Sequence, residues 1–512
     1  SAGQENIKMV QKYVEERECK VYYGDSVTGD TPLILRNKTT KQVLIKTIDD
    51  LSDNWKTYDQ FKAGEPDRIE KQQAECALEI WTEGAWHNIR RVIRHKTNKK
   101  MYRVNTHTGV VDVTEDHSLM TLDRTKIKPS DLTIGSELMH SFPAEFPEII
   151  TTNSNEKVDQ VHCFRCYTTQ PYYEFYIKRN GNYSKNCRKC AWIANTEKRT
   201  TNLIPEYFSQ YEYINSIQPV TKEEAYIWGF FMTDGSCGDY QCASGMNHYW
   251  ELNNKNIIYL NKVFQYLAIC EPNLQFKLLD TVDSSGLYKI VANGNVKLIV
   301  KKYRKLFYDK RKYKLVPVQI LNGSREIRQS FYTGYCVGDG CKILEMNTKR
   351  QSFCCKGKIT SQCMYYLVKS LGYKYVSIDT QAYNPDIYWF HVGSHQFEKN
   401  PIAVKKILEL PEATRETFVY DIETSAGSFN CGVGSLTVLN TDSLYLSMPE
   451  KCFEILDKKY YSDKITKLEY WNEMINITFN KIKPLNNDVN RLLKEDNGTD
   501  FLKMAFEESL FP

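Results

Sequence analysis

Apolar and polar positions change period several times along the chain, and these changes divide it. Lys20 to Asp25, "KVYYGD", reads as a β-strand that ends in a carboxylate, and at Ser26 a different pattern begins. Short alternating runs follow; "MYRVNTHTGVVDVTEDHSLMTL", from Met101, reads as β-strands broken by polar turns. Residues 220–235, "VTKEEAYIWGFFMTDG", switch to a helix: Thr221 with Glu224 three later forms a capping box, and Gly235 suits the stop. Residues 324–340, "SREIRQSFYTGYCVGDG", repeat that ending, because "IWGFFMTDG" and "YTGYCVGDG" both read x-x-Gly-x-x-x-x-Asp-Gly. A repeat at this distance implies two related halves about a pseudo-twofold axis. After Gly340, "TKRQSFCCKGKITSQCMYYLVKSLGY" reads as a strand followed by a helix.

Composition narrows the class. The 512 residues exceed one core, so two to four domains are expected, and 41% hydrophobic with 26% charged residues describes a globular protein. No window approaches eighteen apolar residues and no signal-peptide stretch opens the chain, so no membrane association and an intracellular location, in cytoplasm or nucleus, are expected. Sixteen Cys without such a signal point to reduced or metal-bound thiols. A net charge of +5 does not decide for a nucleic-acid partner, so local clusters must.

The carboxylate strand is completed far downstream. Joining Asp25 to Thr441 of "VLNTDSLYLSMP" gives "KVYYGDTDSLYLSMP". That string resembles the palm hairpin of family B DNA polymerases, whose Tyr-Gly-Asp-Thr-Asp-Ser turn holds metal-binding carboxylates; Asp25 and Asp442 match the two aspartates. Residues 26–440 thus read as an insertion, and the chain resembles an intein precursor. "SVTGDTPLI" is similar to the opening block of inteins, Thr114-x-x-His117 to the second, and "ETFVYDIETSAGSFNCGVGSLTVLN", with Asp421, to the last two. The resemblance implies nucleophilic catalysis. Ser26 attacks the Asp25 carbonyl; His117 donates to the leaving nitrogen with Thr114 helping; Thr441 takes over the ester; Asn440 cyclises; Asp421 assists proton movement. One departure is visible: inteins carry a His before the terminal Asn and another about a dozen residues upstream, where this chain has Leu439 and the Gly427–Ser428 region. All nine His lie at or before His395.

The repeated helices resemble the LAGLIDADG homing endonucleases. The resemblance implies close helix packing through Gly229 and Gly334 and an acid from each half, Asp234 and Asp339, holding Mg2+ over double-stranded DNA, the uninterrupted polymerase gene. Lys314 matches a Lys-x-x-Pro block and is a candidate assisting residue. The stretch 297–314, with nine basic residues and one acid, is usually a solvated helix face, and beside paired acids suits DNA phosphates. Cys163-x-x-Cys166, a twenty-residue spacer and Cys187-x-x-Cys190 suit tetrahedral structural Zn2+.

The expected architecture is multidomain. Residues 1–25 and 441–512 are polymerase flanks. A discontinuous all-β Hedgehog/intein splicing domain spans 26–150 and 400–440, a zinc module 155–197, and a pseudo-twofold αββαββα endonuclease 215–398; a monomer is expected. Alternatives left open are a splicing-impaired or cleavage-only chain, a DNA-binding protein with inert acids, and a DNA polymerase, of which only one motif is present.

Overall fold

The computed structural model describes residues 13, 14, 17, 20–22, 26–58, 68–97, 99–148, 160–163, 169–171, 175–177, 183–188, 190, 191, 220–243, 245–339, 350–381, 383–393, 399–410, 418–440 and 445–497. Among them no helix is long and apolar enough to cross a membrane.

A β unit is assembled from chain segments that are distant in sequence. Its largest sheet has twelve strands, and its centre interleaves β1 (Val27–Thr28), β2 (Gly109–Thr114) and β3 (Phe418–Thr424). Val27 faces Val113 on one side and Tyr420 on the other, so a two-residue strand is held by both neighbours. β2 is buried along its whole length, which explains its Val-rich run; its one acid, Asp112, is paired by the Arg103 guanidinium at 2.7 and 2.8 Å. A four-stranded sheet adds β4 (Ser428–Asn430) and β5 (Thr437–Leu439), which pair with each other and, through Val438, with Leu119. Val27, Leu33, Val113, Ile422, Phe429 and Val438 share this core.

An α/β unit follows. Helix α1 (Lys222–Asp234) starts where the Thr221 Oγ1 accepts the Glu224 N–H at 3.1 Å, and α2 (Arg325–Gly338) where the Ser324 Oγ accepts that of Ile327 at 3.4 Å. The helices lie backbone to backbone. A Cβ on Gly229 would sit 1.9 Å from the Phe331 carbonyl oxygen, and one on Gly334 2.1 Å from that of Tyr226. Ala225 to Met232 are buried all round, so α1 is a central helix whose sequence carries no polar face. The first half continues through two strands, a helix, two more strands and the helix Val296–Phe307, an αββαββα order apart from a four-residue helix between its third and fourth strands. In the second half the described residues give a strand, α3 (Lys358–Ser370), and two strands.

The two units share a core, since Ile34, Val43, Ile45, Val110 and Val433 belong to one buried cluster with residues of α1, α2 and α3. Two amide side chains extend the β unit's backbone pairing. Asn322 accepts the Val43 N–H at 2.7 Å and donates to its carbonyl at 2.8 Å. Gln362 does the same with Gly434 at 2.6 and 3.1 Å.

Outside both units, the Lys20–Tyr22 strand pairs antiparallel with Tyr445–Ser447, in the register Lys20 to Ser447 and Tyr22 to Tyr445. The helix Lys467–Asn497 follows, with Pro484 inside it.

Candidate functional site

One turn, Thr114 to Ser118, bonds to Ser26 at one end and to Leu439 at the other. Ser26 is fully buried. Its N–H donates to the Thr114 Oγ1 at 3.2 Å, and its carbonyl accepts the Thr114 N–H at 3.0 Å. The turn closes by the His117 N–H on the Thr114 carbonyl at 3.0 Å, and the next residue, Ser118, accepts the Leu439 N–H at 3.3 Å. Asn440 is buried and donates its N–H to the Gly427 carbonyl at 3.0 Å. Asp421, also buried, follows the Tyr420 that pairs with Val27, so strand register sets it beside Ser26. Ser26, Thr114, His117, Asp421 and Asn440 are therefore brought together; Asp25, Thr441 and Asp442 lie outside the described residues.

His117 is the most constrained of these. Its ring is fully buried, and neither nitrogen has a hydrogen-bond partner among the described residues. Burial pushes the imidazole down to about 4 from 6.5, with Asp116 opposing. The ring is neutral at neutral pH, with one N–H and one lone pair uncommitted among the described residues. The two positions beside Asn440 are Leu439, before it in the chain, and Gly427, whose carbonyl it meets. A Cβ on Gly427 would lie 3.8 Å from the Asn440 Oδ1. Nearby, the Ser428 Oγ lies 2.7 Å from the Thr82 Oγ1 and donates to the Glu83 carboxylate at 2.7 Å. Thr82 and Glu83 come from the turn of a hairpin remote in sequence, and nothing in their local pattern marked them.

The second constellation lies where α1 and α2 end. Asp234 is the last residue of α1, and Asp339 follows Gly338 at the end of α2. Burial raises both carboxyls to about 6; for Asp234 the Asn254 amide opposes this and the Asp339 charge adds to it. The Asn254 Nδ2 donates to the Asp234 Oδ2 at 2.5 Å and reaches the Gly338 carbonyl at 3.5 Å. It thus ties the two helix ends together, a role that its place at the end of a strand does not announce in sequence. The Lys314 ammonium donates to the carbonyls of Phe231, Met232 and Gly235 at 2.9, 3.1 and 2.7 Å, so it caps α1; burial lowers it to about 8. Two hard carboxylate donors with carbonyls nearby suit a divalent cation such as Mg2+. The basic stretch is only partly available to DNA. Lys302 is held by Glu224 and Glu271 at 3.0 and 2.6 Å, Lys310 and Arg311 by Asp49 at 3.1 and 2.5 Å, and Lys314 as above.

The Sγ atoms of Cys163, Cys187 and Cys190 lie within 4.8 Å of one another, and all three residues are buried. The Cys187 N–H donates to the Cys163 Sγ at 3.2 Å, as it would to a thiolate. Cys166 lies outside the described residues.

No family model matches the chain. It is 39% identical over 486 residues to a DNA polymerase of Acanthamoeba polyphaga mimivirus, a match that covers 93% of this chain and 24% of that polymerase. Among solved structures it is similar to the homing endonuclease I-DmoI, with a TM-score of 0.27 and 14% identity over 35% of this chain and 85% of that one. It is also similar to the transcription factor IIB Mvu mini-intein, with a TM-score of 0.18 and 22% identity over 23% of this chain and 69% of that one. The chain is thus related, over nearly all its length, to about a quarter of a viral DNA polymerase.

Proposed function

We propose that residues 26–440 are an intein that excises itself, ligates Asp25 to Thr441 and so restores a polymerase active-site hairpin. The observation that carries this reading is the pairing of Lys20–Tyr22 with Tyr445–Ser447: strands from opposite ends of the insertion already lie as the two arms of one hairpin. Ser26 and Leu439 bond to the two ends of the Thr114–Ser118 turn.

The chemistry follows from the positions. Thr114 holds the scissile N–H at Ser26; as the Ser26 Oγ attacks the Asp25 carbonyl, the neutral His117 ring passes its N–H proton to that nitrogen and takes up the Oγ proton on its lone pair, so it ends the step neutral. The amide becomes an ester and the amino group of Ser26 is freed. Thr441 attacks the ester through its hydroxyl, and Ser26 leaves as the free alcohol. Asn440 closes its side-chain amide nitrogen on its own carbonyl, releasing the Thr441 amine, to which the ester then migrates. Asp421, beside Ser26, accepts and returns protons.

The α/β unit is read as a homing endonuclease for the uninterrupted polymerase gene. Asp234 and Asp339 would hold Mg2+, which activates water and stabilises the leaving oxygen. Exposed Tyr240, Met246, Tyr249 and Trp389 on its two sheets are available to DNA. Cys163, Cys166, Cys187 and Cys190 would hold a structural Zn2+.

A second reading, cleavage without ligation, is favoured by Gly427 and Leu439 standing where imidazoles would assist Asn440. Intact mass after incubation at neutral pH, with and without hydroxylamine, separates the readings. Free residues 26–440 plus a joined flank product support splicing. Loss of residues 1–25 only with hydroxylamine supports a block at Asn440, and an unchanged chain in both samples refutes activation of Ser26.

A further inference from the structure

We propose that Lys358, carried by the α/β unit, is a positioning residue for the reaction at Ser26. The proposal rests on the reading of Ser26 as the nucleophile. β1 and β2 are antiparallel with Val27 opposite Val113, so Ser26 lies opposite Thr114, and Thr28 opposite Asp112. Side chains two apart on a strand share a face. The reacting pair and the Thr28–Asp112 pair are thus adjacent rungs on one face.

The Lys358 ammonium docks on the second rung. Its Nζ lies 2.8 Å from the Thr28 Oγ1, 2.8 Å from the Asp112 Oδ2 and 2.5 Å from the Asp30 Oδ1. Arg103 grips the same Asp112 from its own strand. The clamp therefore bridges the strand that follows Ser26 and the strand that ends in Thr114.

The α/β unit presents this lysine at some cost. Lys358 is the first residue of α3, where the helix dipole disfavours a cation. Gly357 before it has φ +82, and a Cβ there would strike the Tyr313 ring at 2.5 Å. The Gly357 N–H is fixed on the Asp386 carbonyl at 2.8 Å. The side chain is 9% exposed, and the carboxylates of Asp112 and Asp30 hold its charged form. The local arrangement opposes a lysine, and among the described residues the β unit's two acids and hydroxyl compensate. It follows that the α/β unit is not a dispensable passenger for the chemistry at Ser26.

The test follows hydroxylamine-induced release of residues 1–25 by intact mass in the full chain and in Lys358→Met, Lys358→Arg and Lys405→Met. The last removes an ion pair with Asp379 elsewhere on the interface between the units. Lys358→Met is expected to slow release at least about tenfold, with Lys358→Arg recovering most of the rate and Lys405→Met within about twofold of the parent. Equal rates in Lys358→Met and the parent overturn the proposal. So does a rate that falls only as far as in Lys405→Met, which marks a general docking effect. If Lys358→Met does not fold, Thr28→Val removes a single clamp contact and is expected to slow release severalfold; release at the parental rate overturns the proposal. A parent that never releases residues 1–25 refutes the Ser26 reading itself, a separate outcome.

Discussion

Lowering the pH should weaken the β unit through one side chain, His117. Its imidazole is fully buried without a partner among the described residues, and burial depresses it to about 4 from 6.5. A depressed folded-state value means that the unfolded chain binds the proton first. The stability that His117 contributes is therefore complete above about pH 6.5 and is lost as the pH falls through 4. The gap corresponds to about 3 kcal/mol at about 1.4 kcal/mol per pH unit, of which about 2 kcal/mol is gone at about pH 5. The assay is urea unfolding at several pH values between about 7.5 and 5, on a Ser26→Ala, Asn440→Ala background that keeps the chain intact, with and without His117→Leu. The difference between the two chains cancels Asp234, Asp339 and every other titrating group. It should change by about 2 kcal/mol across that range, to the disadvantage of the histidine form. A difference flat to within about 0.5 kcal/mol would show that the ring is hydrated or paired in solution, and the neutral-donor role would fall with it.

Three further outcomes are expected. Gly229→Ala should destabilise the α/β unit by about 3 kcal/mol or more, read as a lower melting temperature, because its Cβ would meet the Phe331 carbonyl oxygen at 1.9 Å and backbone cannot move aside as a side chain can. An unchanged melt would mean that α1 and α2 do not touch there. Asn254→Leu removes the amide that holds the Asp234 carboxylate ionised, so under the proposed endonuclease function the pH profile of DNA cleavage with Mg2+ should move to higher pH; an unmoved profile refutes that coupling. Purified protein should retain about one zinc by elemental analysis and lose it in Cys187→Ser, whereas equal zinc in both would dissociate the thiol cluster from metal binding.

The candidate residues were legible locally because hydroxyls, acids and glycines are chosen residue by residue. Ser26, Thr114-x-x-His117 and Asn440 stand out in short strings, and the structure gathers them round one turn. The glycines at 229 and 334 are likewise legible, since only a missing Cβ permits the approach seen between α1 and α2. What the chain could not announce is whatever depends on which strand lies beside which. β1 is two residues long and carries no pattern of its own; it exists because Val113 and Tyr420, far apart in sequence, flank Val27. Asn254 joins the acid pair, and Thr82 and Glu83 the surroundings of Asn440, by cross-strand neighbourhood alone. The basic stretch from Lys297 read as a face for phosphates, yet several of its charges are taken by acids of the protein's own surface, because a charge run encodes sign and not partner. Lys358 is the sharpest case. In sequence it opens an ordinary helix; only the docking of two units that share a core makes it a buried cation between the strands that carry Thr28 and Asp112.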